Sequence, residues 1–157
     1  MLSIKEVLLH QVQLVNVELV KMNIEKNENV SLEELRNNPL KIKTNIWSKI
    51  KSDKEACMYL HLKAEFEQQE NGLFEIDIVY KGTCKVHDSS DITKNDLETF
   101  FEYQSIRMLW PYLRETLTNT MLKMDVEPIK LPTVDVLKTL ESTLESDENT
   151  DEDVTGK

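Results

Sequence analysis

Hydrophobic and polar residues alternate with a period of two through three stretches of this chain, and the period then changes to that of a helix. From Leu40 to Lys51, one side carries Ile42, Thr44, Ile46, Ser48 and Ile50, and the other Lys41, Lys43, Asn45, Trp47 and Lys49. From Ala56 to Gln68, Met58, Leu60, Leu62, Ala64 and Phe66 stand opposite Tyr59, His61, Lys63, Glu65 and Glu67. From Leu73 to His87, Phe74, Ile76, Ile78, Tyr80, Gly82, Cys84 and Val86 share one side, and Glu75, Asp77, Val79, Lys81, Thr83 and Lys85 the other. Successive side chains of a strand point to opposite faces, so this pattern predicts antiparallel strands with one buried and one wet face. Gln69-Glu70-Asn71-Gly72 predicts the turn between the last two, since Asn-Gly tolerates the backbone of a tight hairpin.

An earlier strand is predicted within residues 7–22. Val12, Leu14 and Asn16 share a side, but from Val15 the phase slips by one to Val15, Val17 and Leu19, as at a β-bulge. Val7, Leu8, Gln11, Leu14 and Val15 also fit a helical period; the β-branched content favours the strand. Residues 23–40 are polar and read as a crossover loop, with a helical turn or two at the capping-box pattern Ser31-Leu32-Glu33-Glu34 and a stop at Pro39.

Beyond Asp88-Ser89-Ser90-Asp91 the apolar positions recur at helical spacing. Leu97, Phe101, Gln104 and Met108 form one stripe, and Ile106, Trp110, Leu113, Leu117, Met121 and Met124 continue it. Pro111 is expected to kink this helix or to start its second half, because proline removes a backbone donor and crowds the preceding turn. Asp125 to Thr133 reads as an extended connection holding Pro128 and Pro132, and Val134 to Leu144 as a second, shorter helix. The predicted architecture is α+β, with a four-stranded antiparallel sheet followed by a long C-terminal helix and a second shorter helix in two layers.

The length of 157 residues suits one domain with a real core. That domain is placed at residues 1–145. The stretch 146–157 is acidic and lacks aromatics, and is expected to be a disordered tail. The formal net charge of −10 argues against nucleic acid as a partner, which needs clustered Lys and Arg. No apolar run approaches the roughly 20 residues of a membrane span. The N-terminus shows no secretory signal pattern, so a cytoplasmic protein is expected. Cys57 and Cys84 lack a close partner in sequence and read as buried free thiols, with a disulfide as the alternative.

Enzyme motifs are absent, and three glycines in the whole chain leave little material for a phosphate-cradling loop. His10, His61 and His87 sit on separate segments; a zinc site would need their strands to come into register. Neither enzyme activity nor a cofactor is expected. Tyr59, Phe66, Phe74, Tyr80, Met108 and Met121 are either core or an adaptable binding surface, since aromatic rings and thioethers repack around varied partners. A sheet with two helices leaves apolar surface that one subunit does not cover, and oligomerisation through the helix is a natural solution.

The block Leu109-Trp110-Pro111-Tyr112-Leu113-Arg114-Glu115, with the exit Pro128-x-x-Leu131-Pro132-Thr133-Val134-Asp135, resembles the main helix of the SecB family of export chaperones. The resemblance runs from about Phe74 to Leu140, with a weaker extension over the earlier strands. It implies an ATP-independent holdase that binds unfolded preproteins in apolar grooves and hands them to the SecA motor. It also implies a tetramer built as a dimer of dimers. By the same resemblance Asp77 stands where the family has an acid that helps bind SecA; Glu75 and Glu18 are further candidates for that acidic surface. Trp110, Leu113 and Leu117 are expected to pack the helix. Departures are the missing glycine near Met124-Asp125, Asp135-Val136 in the exit motif, and Trp47 on a strand rather than in the crossover loop. They point to a divergent SecB-like protein. A dedicated chaperone of a toxin–antitoxin system and a non-chaperone interaction module are the alternative readings.

Overall fold

The computed structural model describes residues 11–26, 28, 40–66, 74–87, 91–128 and 131. Four strands, β1 (Val12–Lys26), β2 (Leu40–Ile50), β3 (Glu55–Phe66) and β4 (Phe74–Val86), precede one long helix, α1 (Lys94–Lys123). The strands form one antiparallel sheet in the order β1-β4-β3-β2, so β1 and β2 are its edges. The expected hairpin turn at residues 69–72, the helical turn at 31–34 and the shorter helix over 134–144 fall outside the described residues.

The predicted faces match the observed ones. Ala56, Met58, Leu60, Leu62 and Ala64 of β3 and Ile76, Ile78, Tyr80, Cys84 and Val86 of β4 are buried under α1. The strand phase slip is real: the β1–β4 register shifts between Leu14 and Asn16, so Val15 is the extra residue there. A second shift between Leu19 and Lys21 leaves Val20 in the same position, and β1 runs on to Lys26, into the stretch read as loop. Each bulge shifts the register and returns the strand's apolar residues to the helix side, so β1 keeps one apolar side over 15 residues. Both bulge residues, Val15 and Val20, are exposed.

Helix α1 starts at a capping box absent from the sequence reading. Asp96 N–H donates to the Thr93 hydroxyl at 3.3 Å, and Thr93 N–H donates to the Asp96 carboxylate at 2.9 Å. The Thr93 bonds hold the Asp96 carboxyl below its usual range. The helix ends in a reciprocal pair of bonds, Asp125 N–H to Leu122 O at 3.2 Å and Val126 N–H to Met121 O at 3.0 Å, around Asp125 at φ 54°. This is the left-handed position that glycine fills most easily. Asp tolerates it because a short polar side chain pays less steric penalty there than most.

The helix crosses the sheet diagonally. Near its start Phe101 and Ser105 lie by Ile46 and Ser48 of β2. Midway, Leu109 lies against Gly82 of β4. Toward its end Thr116 hydrogen-bonds Tyr80, Thr120 reaches Met22 of β1, and Lys26 donates to the Met124 carbonyl at 3.1 Å. That last contact places a cation at the negative end of the helix. Buried residues recur every fourth position, at Leu97, Phe101, Ser105, Leu109, Leu113, Leu117 and Met121, with Ile106 and Trp110 beside them. A spacing of four drifts by about 40° per step around a helix of 3.6 residues per turn. The contact side therefore rotates as α1 crosses from one edge of the sheet toward the other. Pro111 sits inside this single helix with its side chain exposed; the helix does not divide there.

Candidate functional site

Where the N-terminal half of α1 lies over β2, a groove of about 160 Å³ opens between the edge strand and the helix. Ile46, Trp47, Ser48, Phe101, Glu102 and Ser105 line it. Ser105 is buried and directs its hydroxyl to the Phe101 carbonyl at 2.5 Å, so it offers the groove no free donor. The volume falls below the roughly 300–1,000 Å³ of cofactor and small-molecule sites. It accommodates one bulky side chain. Among the described residues nothing pairs with the outer edge of β2, which runs alongside, and an extended segment laid there gains backbone hydrogen bonds while seating a side chain in the groove. Among the described residues no group of three or more metal-ligating side chains converges.

A second apolar surface lies on β1, where Val15, Leu19, Val20 and Met22 are all largely exposed. Leu19 and Met22 pair with Tyr80 and Ile78, which places them on the helix side of the sheet. They stay uncovered because α1 reaches β1 only at its C-terminal end.

The sheet's outer face carries the charges. Asp77 accepts from Lys21 at 2.5 Å and from His61 at 2.8 Å, and its side chain is only 14% exposed. The Lys21 bond, reinforced by His61, holds the Asp77 carboxyl below its usual range, against the opposing effect of desolvation. Glu18 accepts from Lys81 at 2.6 Å, and that bond raises Lys81 above its ordinary value. Glu75 is exposed and lies between Glu25 and Glu65 in register. Of the three residues expected to form an acidic surface, then, two are engaged by cations of the same sheet.

The Asp77 shift carries a sign. A carboxylate whose folded pKa is depressed contributes stability that is fully present above its unfolded pKa and is lost as pH falls through the folded value. Wild-type protein is therefore expected to lose thermal stability on acidification below about pH 4, and Asp77→Asn to lose less across that window. Melting curves between neutral and strongly acidic pH check this; parallel curves for the two proteins would contradict it.

The sequence-predicted client residues separate in space. Tyr80 and Met121 are buried, at 7% and 2%, under and within the helix contact, so they are core and offer a partner nothing. Tyr80 is fixed there by Thr116 and by Tyr112, whose ring centroid lies 6.3 Å away. Met108 is half-buried against the core. Tyr59 lies on the outer face, stacked on Trp47 at 5.0 Å with the rings 3° from parallel. The side chains of Phe66 and Phe74 fall outside the described set. Trp110, Leu113 and Leu117 are buried in the helix–sheet contact. The groove residues Ile46, Ser48 and Phe101 were legible only as one face of a strand and one stripe of a helix. Their opening depends on the diagonal crossing, which no local pattern encodes. Cys57 and Cys84 are both buried free thiols on opposite faces of the sheet, and burial pushes Cys84 up to about 11.

The fold has a known counterpart. The model of the family described as preprotein translocase subunit SecB matches residues 10–145. No curated protein sequence matches the chain. Among solved structures, the chain is similar to the Mycobacterium tuberculosis SecB-like chaperone Rv1957, in complex with a ChAD peptide from the Rv1956 HigA1 antitoxin, with a TM-score of 0.67 at 12% identity over 80% of this chain and 91% of that one. A protein of unknown function from Streptococcus agalactiae gives a TM-score of 0.45 at 13% identity, over 78% of this chain and 97% of that one. Among the described residues no helix is long and apolar enough to cross a membrane. With the family match covering most of its length, the chain belongs to the SecB family.

Proposed function

We propose that this SecB-family chaperone is an ATP-independent holdase that captures extended apolar segments of unfolded polypeptides along the groove between β2 and α1. The observation that carries this reading is that groove, open beside a strand edge that no described strand pairs with. A holdase lowers the free concentration of unfolded chain by binding it preferentially, and it needs apolar surface rather than a reacting constellation. The exposed Val15, Leu19, Val20 and Met22 supply further apolar surface, for a client or for a second copy of the chain. We take residues 1–145 as one domain with an acidic tail, assembled as a tetramer in the cytoplasm.

Clients are unfolded preproteins or a dedicated antitoxin. The pairing of Glu18 and Asp77 with Lys81, Lys21 and His61 favours the dedicated role, because it leaves less free acidic surface for SecA. Delivery to SecA remains the alternative arm of the proposal.

The protein is expected to delay aggregation of an unfolded model polypeptide at near-stoichiometric ratio without ATP. Ser48→Trp, which fills the groove from the strand side, is expected to weaken client binding by about tenfold while leaving the melting temperature close to wild type. A wild-type protein that neither delays aggregation nor binds unfolded chain sinks the holdase reading. A Ser48→Trp protein that binds normally moves the client elsewhere.

A further inference from the structure

On the outer face of the sheet, away from the helix, Trp47 and Tyr59 form a stacked pair, with the Lys49 ammonium 5.5 Å from the centre of the Tyr59 ring. Trp47 is 37% exposed, a large aromatic surface for a wet face. Four residues away along each strand, Lys43 and Lys63 stand directly opposite each other across β2 and β3. Like charges in that relation repel, and the neighbours do little to offset it. Asp77, which faces Lys63 from β4, is taken by Lys21 and His61. Glu65 reaches Lys43 at only 3.8 Å, with both side chains largely in solvent. Lysines on an edge strand often serve only to keep other strands away. That explanation covers Lys43 and Lys49 on β2, but not Lys63, which lies on an inner strand.

We propose that this patch, Trp47 and Tyr59 flanked by Lys43, Lys49 and Lys63, docks an acidic segment of a partner protein that also carries an apolar or aromatic residue. Charge complementarity sets the sign. The chain is at −10 overall, so a local cluster of lysines offset only by the solvent-exposed Glu65 contact selects carboxylates against a repelling background. The stacked rings set the second requirement, an apolar side chain to cover them. A nucleic acid fits less well, because its continuous charge would run onto the Glu65, Glu75 and Glu25 row that borders the patch. The chain's own end, residues 146–157, is acidic but offers Val154 as its one large apolar residue, so it does not match the aromatic half. Trp47 is shared with the lining of the groove, but Tyr59, Lys43 and Lys63 are not, so variants at those three positions test this assignment separately from the client reading.

The test uses the full chain and a fluorescein-labelled peptide of about 12 residues, Glu and Asp around a central Leu-Phe, long enough to cross the patch when extended. Anisotropy is expected to show binding that weakens as salt rises. A peptide with Lys in place of the acids should not bind, and a thymidine oligonucleotide of matching length should bind more weakly than the acidic peptide. Tyr59→Ala and the double variant Lys43→Glu/Lys63→Glu are each expected to weaken binding by about tenfold or more. Lys94→Glu, on the exposed start of the helix, is expected to leave it unchanged. Tyr59→Phe retains the ring and should bind as wild type, which separates loss of contact from loss of fold. Absence of binding, equal binding of the Lys peptide, tighter binding of the oligonucleotide, or unchanged affinity in both patch variants overturns the proposal. Binding that appears only after the tail acids are neutralised, with Asp147, Glu148, Asp151, Glu152 and Asp153 changed to their amides, would hand the patch to the chain's own end and overturn the partner assignment.

Discussion

A Gly82→Val substitution is expected to destabilise the domain by about 3 kcal/mol, at the upper end of the range for overpacking, and to lower its melting temperature by about 10 °C. Gly82 lies on the helix side of β4, between Val17 of β1 and Met58 of β3. A Cβ there would stand 2.8 Å from Met58 Cε, 3.0 Å from Leu14 Cδ1 and 3.2 Å from Leu109 Cδ2. Local preference points the other way, since valine is a better strand residue than glycine. The substitution therefore sets propensity against packing at one position, and packing is expected to win. Gly82→Ala should cost much less, because the closest atom is the free end of a methionine, which can swing aside. Valine adds two further methyls with nowhere to go. Urea denaturation of the Gly, Ala and Val series measures this. Combining Gly82→Val with Leu109→Ala should be less destabilising than the sum of the single changes, because the truncated leucine vacates part of the space the valine needs. Simple additivity would mean that the helix does not press on Gly82.

Pro111→Ala carries the opposite sign. Proline in a helix interior costs up to about 3 kcal/mol relative to alanine, and here α1 continues unbroken through it. The residue is exposed, so its ring contributes little to the core. The lost bond is the one its missing N–H would have made to the Arg107 carbonyl, and Arg107 also faces solvent, where water replaces the donor. Alanine is expected to raise stability by about 1–3 kcal/mol, read from the urea midpoint. A loss of stability instead would mean that Trp110 and Leu113, both buried, are placed by a bend that the proline imposes.

Both substitutions show how far local pattern carries in this chain. The strands were legible because burial on one face forces strict alternation, and a register slip of one residue would turn every side chain over. The first bulge was legible for the same reason, as a visible break of phase at Val15. The second, at Val20, was not, because Val17, Leu19, Val20 and Met22 mix both phases and remain partly apolar in either. The capping box at Thr93 was hidden because its acid is Asp96, shorter than the usual Glu or Gln of that motif. The site was less legible still. Tyr80 and Phe101 look alike in sequence, as aromatics on an apolar stripe. One is pinned under the helix by Thr116, and the other borders an opening. Asp77 and Glu75 are both acids on the outer face. One is engaged by Lys21 and His61, and the other is free in solvent.

By itself, then, the sequence determined the four-stranded antiparallel sheet, its buried and wet faces, the long helix and the family that owns this arrangement. These follow from periodicity and local backbone chemistry, which act over a few residues. Only the tertiary structure decided which apolar residues are core and which are surface, and which charges are spent on each other. Those outcomes depend on the angle at which α1 crosses the sheet and on the order in which strands distant in sequence lie side by side.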